Sequence, residues 1–348
     1  MPRRHRRAAV GRARRARGTR AAYFSALGHA TLCLSGLVRA GAAAAAEPPS
    51  PTTPPEMSQR LERQLDTKGA PALPGLTHRD NAFVYEYTVA AVAPTDLDSA
   101  ASLGAGRGLA FAARWLLETS LVDRRWFIGV TSDVAGGSVP TGDDPTSGGA
   151  TWILGNPEIW ARGVWTSEAG LSAGGGLGLV VPVPRRFSRL EATVVRAVRV
   201  VRPWDVPHFE DLVFTARPWF DIRHVTGPVT LQLRQGLDVS LVARDLRDRE
   251  NRYDLTAVLV GYVGVRPFDL MTLALEASEV YRITGDATAP GCVEPCDEFR
   301  AQFVMSPAVR WHLPVVTPTL GVSFPLSTPL RRDVAGYVTG RLVLEAVF

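Results

Sequence analysis

Lysine is nearly missing from this chain: of 39 basic residues, all but Lys68 are arginine. Acidic residues are missing altogether from positions 1–46, a stretch that holds ten arginines. The nominal charge of +5 therefore belongs to that leader. Removing its ten arginines leaves 29 basic residues against 34 acidic ones, a net of −5. A nucleic-acid partner is not expected from such a balance. Long apolar runs are missing too. Outside the leader no stretch of about eighteen clean apolar residues occurs, which excludes a helical membrane protein. The same shortage does not exclude a membrane β-barrel, whose strands are each only half apolar. Cysteine is scarce, with three in 348 residues.

The leader divides as an export signal does. Arg3–Arg20 is a basic run, Ala21–Val38 a moderately apolar core, and Gly41–Ala46 a run of small residues, placing the cut after Ala46. The large Leu32 beside Cys33 argues against a lipoprotein box. Glu47–Pro55 is a proline-rich linker that stays extended. Glu56–Asp66 can form about three helical turns with Met57, Leu61 and Leu65 on one thin stripe. The domain boundaries are thus 1–46 for the signal peptide, 47–81 for the linker and short helix, and 82–348 for the main body. The linker segment is expected to be a loose periplasmic arm, with a plug in or beneath the body as the alternative.

From Ala82 onward a two-residue period recurs between turn signals. It marks twelve strands: 82–93, 108–118, 125–134, 151–165, 169–182, 210–223, 229–242, 252–265, 268–281, 300–312, 315–325 and 337–348. Ten or fourteen are the neighbouring counts. Links between strands alternate short and long, and a soluble sandwich has no reason to sort them so. Short turns on one rim and long loops on the other describe an all-β, antiparallel up-and-down transmembrane barrel with both termini periplasmic. Polarity agrees. In 229–242, Val229, Leu231, Leu233, Leu237, Val239 and Leu241 alternate with Thr230, Gln232, Arg234, Asp238 and Ser240. A charge on the lipid face at the midplane costs about 2–4 kcal/mol, so the ionised set faces inward.

In the last strand, Val338, Gly340, Leu342, Leu344, Ala346 and Phe348 alternate with Tyr337, Thr339, Arg341 and Glu345. This stretch resembles the closing strand and assembly signal of bacterial outer-membrane β-barrels. The resemblance implies an outer-membrane location and a barrel-assembly partner that reads Leu342, Leu344, Ala346 and Phe348. A second stretch, Gly155-Asn156-Pro157-Glu158 followed by a glycine-rich strand ending in Val181-Pro182-Val183-Pro184, is similar to a passage in transporter-like barrels of the same superfamily. It departs from that passage where Arg185-Arg186 follow the last proline.

The inward pattern nominates lumen residues Arg217, Asp221, Arg234, Asp238, Arg252, Asp254, Glu276, Arg300, Arg310, Arg341 and Glu345, with Glu86, Arg114, Asp133, Glu158, Arg162 and Arg223 beside them. Interleaved charges of both signs either orient passing polar solutes or pair across the lumen and close it. Trp115, Trp126, Trp165 and Trp311 all stand near short turns, as a periplasmic aromatic girdle would. Cys292 and Cys296 share a long loop where an oxidising compartment favours a local disulfide. The nearby Asp286, Glu294, Asp297 and Glu298 lack the ordered spacing of a calcium site. Loop 183–209, rich in arginine with Phe187 and Trp204, is open to three readings: an in-folded constriction, a contact with lipopolysaccharide, or a solvated ribbon. His208 with Asp205, Glu210 and Asp211 is the one water-activating candidate on the loop rim, and is read as solvated charge. The expectation is a non-enzymatic pore for small polar or amphipathic solutes without cofactor or metal, set in outer-membrane lipid and lipopolysaccharide. The alternative is a non-conducting anchor or surface-interaction barrel, with a surface protease or phospholipase behind it.

Overall fold

A computed structural model describes residues 81–92, 108–121, 125–139, 149–167, 171–184, 187–242, 253–284, 301–313, 315–326 and 339–347. Thirteen β segments run β1 Asn81–Val92, β2 Gly108–Ser120, β3 Trp126–Val139, β4 Gly149–Leu154, β5 Glu158–Thr166, β6 Leu171–Val180, β7 Val213–Thr226, β8 Val229–Val242, β9 Tyr253–Phe268, β10 Met271–Arg282, β11 Ala301–Trp311, β12 Val316–Pro325 and β13 Thr339–Val347. Between β6 and β7 lie helix α1, Arg189–Val201, and a 3₁₀ turn, Pro203–Phe209.

Each strand pairs antiparallel with its neighbours, β1 pairs with β13, and the β2–β3 ladder completes the ring. β4 and β5 both pair with β3 and are two halves of one wall strand, so the closed barrel has twelve strands. Closure pairs both edges of every full-length wall strand, which lipid requires of a spanning sheet, while β4, beside the loop rim, pairs among the described residues with β3 alone. The ladder Ala82↔Val347 puts the start of β1 and the end of β13 together, on the rim of the short turns.

The break at 155–157 explains the irregular period of 151–165. Val134 faces Leu154 and Thr131 faces Glu158, so three residues of the broken strand oppose two of β3. One extra residue is a β-bulge, and a one-residue shift exchanges the two faces. Ile153 points inward on odd numbering, whereas Glu158, Trp160 and Arg162 point inward on even numbering. Elsewhere the alternation is regular. Leu117, Ile159, Leu177, Phe220, Leu273 and Leu320 are exposed on the outer face, while the ionised residues between them are buried. Such an apolar exterior suits lipid.

Trp115, Trp126 and Trp165 stand on that exterior near the short-turn rim. Trp126 packs edge-on to Trp165 at 5.8 Å and Trp115 tilts against Tyr85 at 6.0 Å. Trp311, at the end of β11 on the same rim, is half-buried. In β13, Leu342, Leu344 and Ala346 alternate with the buried Arg341 and Val343. The signal peptide, the linker, Arg252, Arg300, Cys292, Cys296 and Phe348 lie outside the described residues.

Candidate functional site: an insert locked across the lumen

Loop 183–209 is no solvated ribbon. Ser188 begins α1 with a reciprocal cap: Glu191 N donates to Ser188 Oγ (3.3 Å) and Ser188 N donates to Glu191 Oε2 (2.6 Å). The helix buries Val194, Val195 and Val198 against Ala112 of β2, Ala135 of β3 and Ile153 of β4, with Phe187 and Phe209 completing the patch. The chain then stops being helical at Arg202, and Pro203 opens the 3₁₀ turn. Trp204 packs on Val258 and Val260 of β9, Val280 of β10 and Val304 of β11. One short insert thus touches walls on both sides of the lumen. Its sequence signals were the Ser188-x-x-Glu191 box and the helical spacing of Leu190, Val194, Ala197 and Val198.

The bulge is the socket that receives it. Asn156 Nδ2 donates to the carbonyls of Pro207 (3.1 Å) and Glu210 (2.7 Å), and Asn156 Oδ1 accepts from Val183 N (3.0 Å). Asn156 N also donates to His208 O (2.6 Å). Gly155 is required by close approach: a Cβ there would sit 2.8 Å from Asp133 Cβ and 3.2 Å from His208 O. The Gly-Asn-Pro-Glu motif therefore works as a docking point between wall and insert.

Charge finishes the lock. His208 and Asp205 are fully buried, which corrects the reading of them as solvated loop charge. His208 Nδ1 donates to Asn156 O (3.0 Å) and faces Asp133 Oδ2 (3.1 Å). Its Nε2 lies 3.0 Å from Arg217 Nη1 and 3.2 Å from Glu158 Oε2, and Arg217 Nη1 in turn donates to Glu158 Oε2 (3.2 Å). Arg217 further donates to Trp204 O and to Asp238, each at 3.0 Å. Arg202 of the insert reaches Asp205 (2.6 Å) and Glu86 of β1 (3.3 Å). Arg114 of β2 bonds Asp133 (3.0 Å) and Asp205. Burial alone would raise the Asp205 carboxyl, but Arg114 and then Arg202 outweigh it and hold it well below the usual carboxylate range.

Among the other lumen candidates, Arg341 joins Glu86 (2.8 Å) to Glu276 (3.1 Å). Arg234 grips Asp221 with two bonds, and Arg310 pairs with Glu345. Asp254 is half-buried in β9 beside the loop rim. Arg162 binds Glu118 through two bonds of 2.6 and 2.7 Å and lies over the Phe127 ring at 4.0 Å. The alternation of 210–223 puts Trp219 on the inward face with Arg217, Asp221 and Arg223; sequence reasoning missed its inward partner Trp160, which meets it edge-on at 6.2 Å, and the roles of Arg202, Asp205 and His208.

A closed, outwardly apolar twelve-stranded ring with an ionised interior and an in-folded loop has the fold of a bacterial outer-membrane β-barrel. A solved structure shares that fold. An outer-membrane channel from Pseudomonas putida F1 superposes with a TM-score of 0.53 at 13% identity, covering 78% of this chain and 96% of that one. The NanC porin (TM-score 0.47, 11% identity, 76% of this chain and 100% of that one) and the KdgM porin in complex with oligogalacturonate (0.41, 11%, 77% and 99%) are also similar. No protein-family model and no curated protein sequence matches the chain.

Proposed function

We propose that this barrel is a non-enzymatic outer-membrane pore for small polar or amphipathic solutes, narrowed by the 187–209 insert. The lumen carries the reading. Eleven of the twelve wall strands present at least one buried polar or ionised side chain inward, from Glu86 on β1 through Asp221, Arg234, Glu276 and Thr319 to Arg341 on β13, and the twelfth, β9, presents the buried ring of Tyr262. Stability does not account for such a lining, because buried ion pairs are often no better than well-packed apolar side chains. A passage for hydrated solutes does account for it. The girdle tryptophans, the Cys292–Cys296 bridge and assembly through the C-terminal strand in lipopolysaccharide-bearing membrane belong to the same reading.

One observation favours a second reading, a non-conducting barrel: the insert meets opposite walls, and its buried Arg202 and Asp205 are paired with each other, with Glu86 and with Arg114. Planar-bilayer recordings separate the two. Residues 47–348 are refolded and compared with a variant in which a short Gly-Ser turn replaces 187–209. A pore gives small stepwise conductance in the first and several-fold larger steps in the second. Silence in both, from barrels whose heat-modifiable mobility proves folding, sinks the pore.

A further inference from the structure

The inner face of β9–β13 holds a small cavity, with room for about one water molecule. Hydroxyl-bearing Tyr262, Ser306 and Thr319 line it, and the Arg341–Glu276 pair forms one side. Ala274 and Ala308 keep that wall shallow. Arg341 spends Nε on Glu86 and Nη1 on Glu276, while its Nη2 is buried without a hydrogen-bond partner. Thr88, directly across the β1–β13 ladder from Arg341, has an unpartnered hydroxyl, as does Thr339 two residues along the same inner face. Both threonines are at least nine-tenths buried. Arg202, which shares Glu86 with Arg341, leaves its Nε unpartnered as well.

Two features define what such a place recognises. The unpartnered atoms are donors or hydroxyls, so a guest must offer acceptor oxygens. The two guanidinium charges are already opposed by Glu86, Glu276 and Asp205, so no excess positive charge is left to hold an anion. We propose that Arg341, Thr88 and Thr339 form the recognition point of the pore for uncharged, oxygen-rich solutes of the sugar or polyol class. It rests on the pore reading, since these inward groups meet a solute only along the lumen.

The test uses the refolded chain in detergent and three probes of matched size: glucose, gluconate and glucosamine. Tryptophan fluorescence follows binding, and conductance is recorded from the same preparation. Glucose should saturate at millimolar concentration, with the charged analogues at least about tenfold weaker. Thr88→Val with Thr339→Val, which removes no existing hydrogen bond to these hydroxyls, should keep the barrel folded and weaken glucose by about tenfold. Tighter binding of gluconate, an unchanged affinity in the double variant, or no saturable binding by any probe overturns the proposal. Conductance without glucose binding removes this inference alone; glucose binding without conductance removes the pore reading and with it the role of the site in passage, leaving a sugar site in a closed barrel.

Discussion

The two sides of the lumen are built from opposite materials. Along β2–β7 the interior is filled by rings and by the insert: Phe127, Trp160 and Trp219 pack with Leu116 and Val164, and α1 covers Ala112, Ala135 and Ile153. Along β10–β13 the inward positions include Thr272, Ser278, Ser306, Thr317, Thr319, Ser323 and Thr339 around the ionised Glu276, Arg310 and Arg341, with the insert's Trp204 on Val280 and Val304 near the loop rim. A twelve-stranded ring lies between barrels that side chains fill and barrels that hold open channels. Here the difference is local: one side gives inward positions to large rings and the insert, and the other sets small hydroxylated residues among its ionised ones. In the proposed pore the solute route runs along the second side.

Removing Arg202 should break this contrast most severely. Arg202→Ala leaves Glu86 and Asp205 buried with one cation fewer, a change that costs about 3–5 kcal/mol when a buried pair loses a partner. Hydrogen exchange should show the amides of 190–209 losing protection by more than a hundredfold while the β10–β13 ladder keeps its own. Unchanged exchange in the insert would mean that the charges follow its docking and do not hold it.

Asn156→Ala is the next step down. It deletes two donated bonds and one accepted bond at the socket, about 1–3 kcal/mol for the buried groups left behind. The same exchange experiment should show a smaller loss, confined to 181–210. The least effect is expected on the hydroxylated side. Ser306→Ala loses a single bond to Ser323 (2.8 Å), worth about 0.5–1.5 kcal/mol, and the insert should not register it. If instead Ser306→Ala loosens the insert as much as Asn156→Ala does, the two sides are one cooperative unit and the contrast fails.

The wall was legible because each strand stands between two solvents, and the alternation records both. Val229–Val242 shows it cleanly, with every ionised side chain buried and its apolar neighbours facing out. The broken strand was less legible because its bulge reverses the alternation midway, so neither numbering phase fits all of 151–165. The insert was obscured for a different reason. Its valines suit strands as well as helices, and its arginines suggest water, although Arg202 is among the most buried side chains described. Pairing partners were beyond reach: nothing local to Asp205 or His208 announces that Arg114 on β2 and Glu158 on β5 will meet them.

The β6–β7 ladder runs unbroken in register from Leu171↔His224 to Val180↔Thr215. The chain accordingly departs from the wall and returns to it at neighbouring points, taking a left-handed turn at Leu212 (φ 53°) just before β7. The insert is topologically an excursion hung from a hairpin. Doubling the length of such an excursion adds only about 0.6 kcal/mol of closure entropy. Barrel construction is thereby uncoupled from the design of the insert: one hairpin can carry excursions of different length and composition on an unaltered cylinder, with Gly155–Glu158 as the fixed half of the fitting.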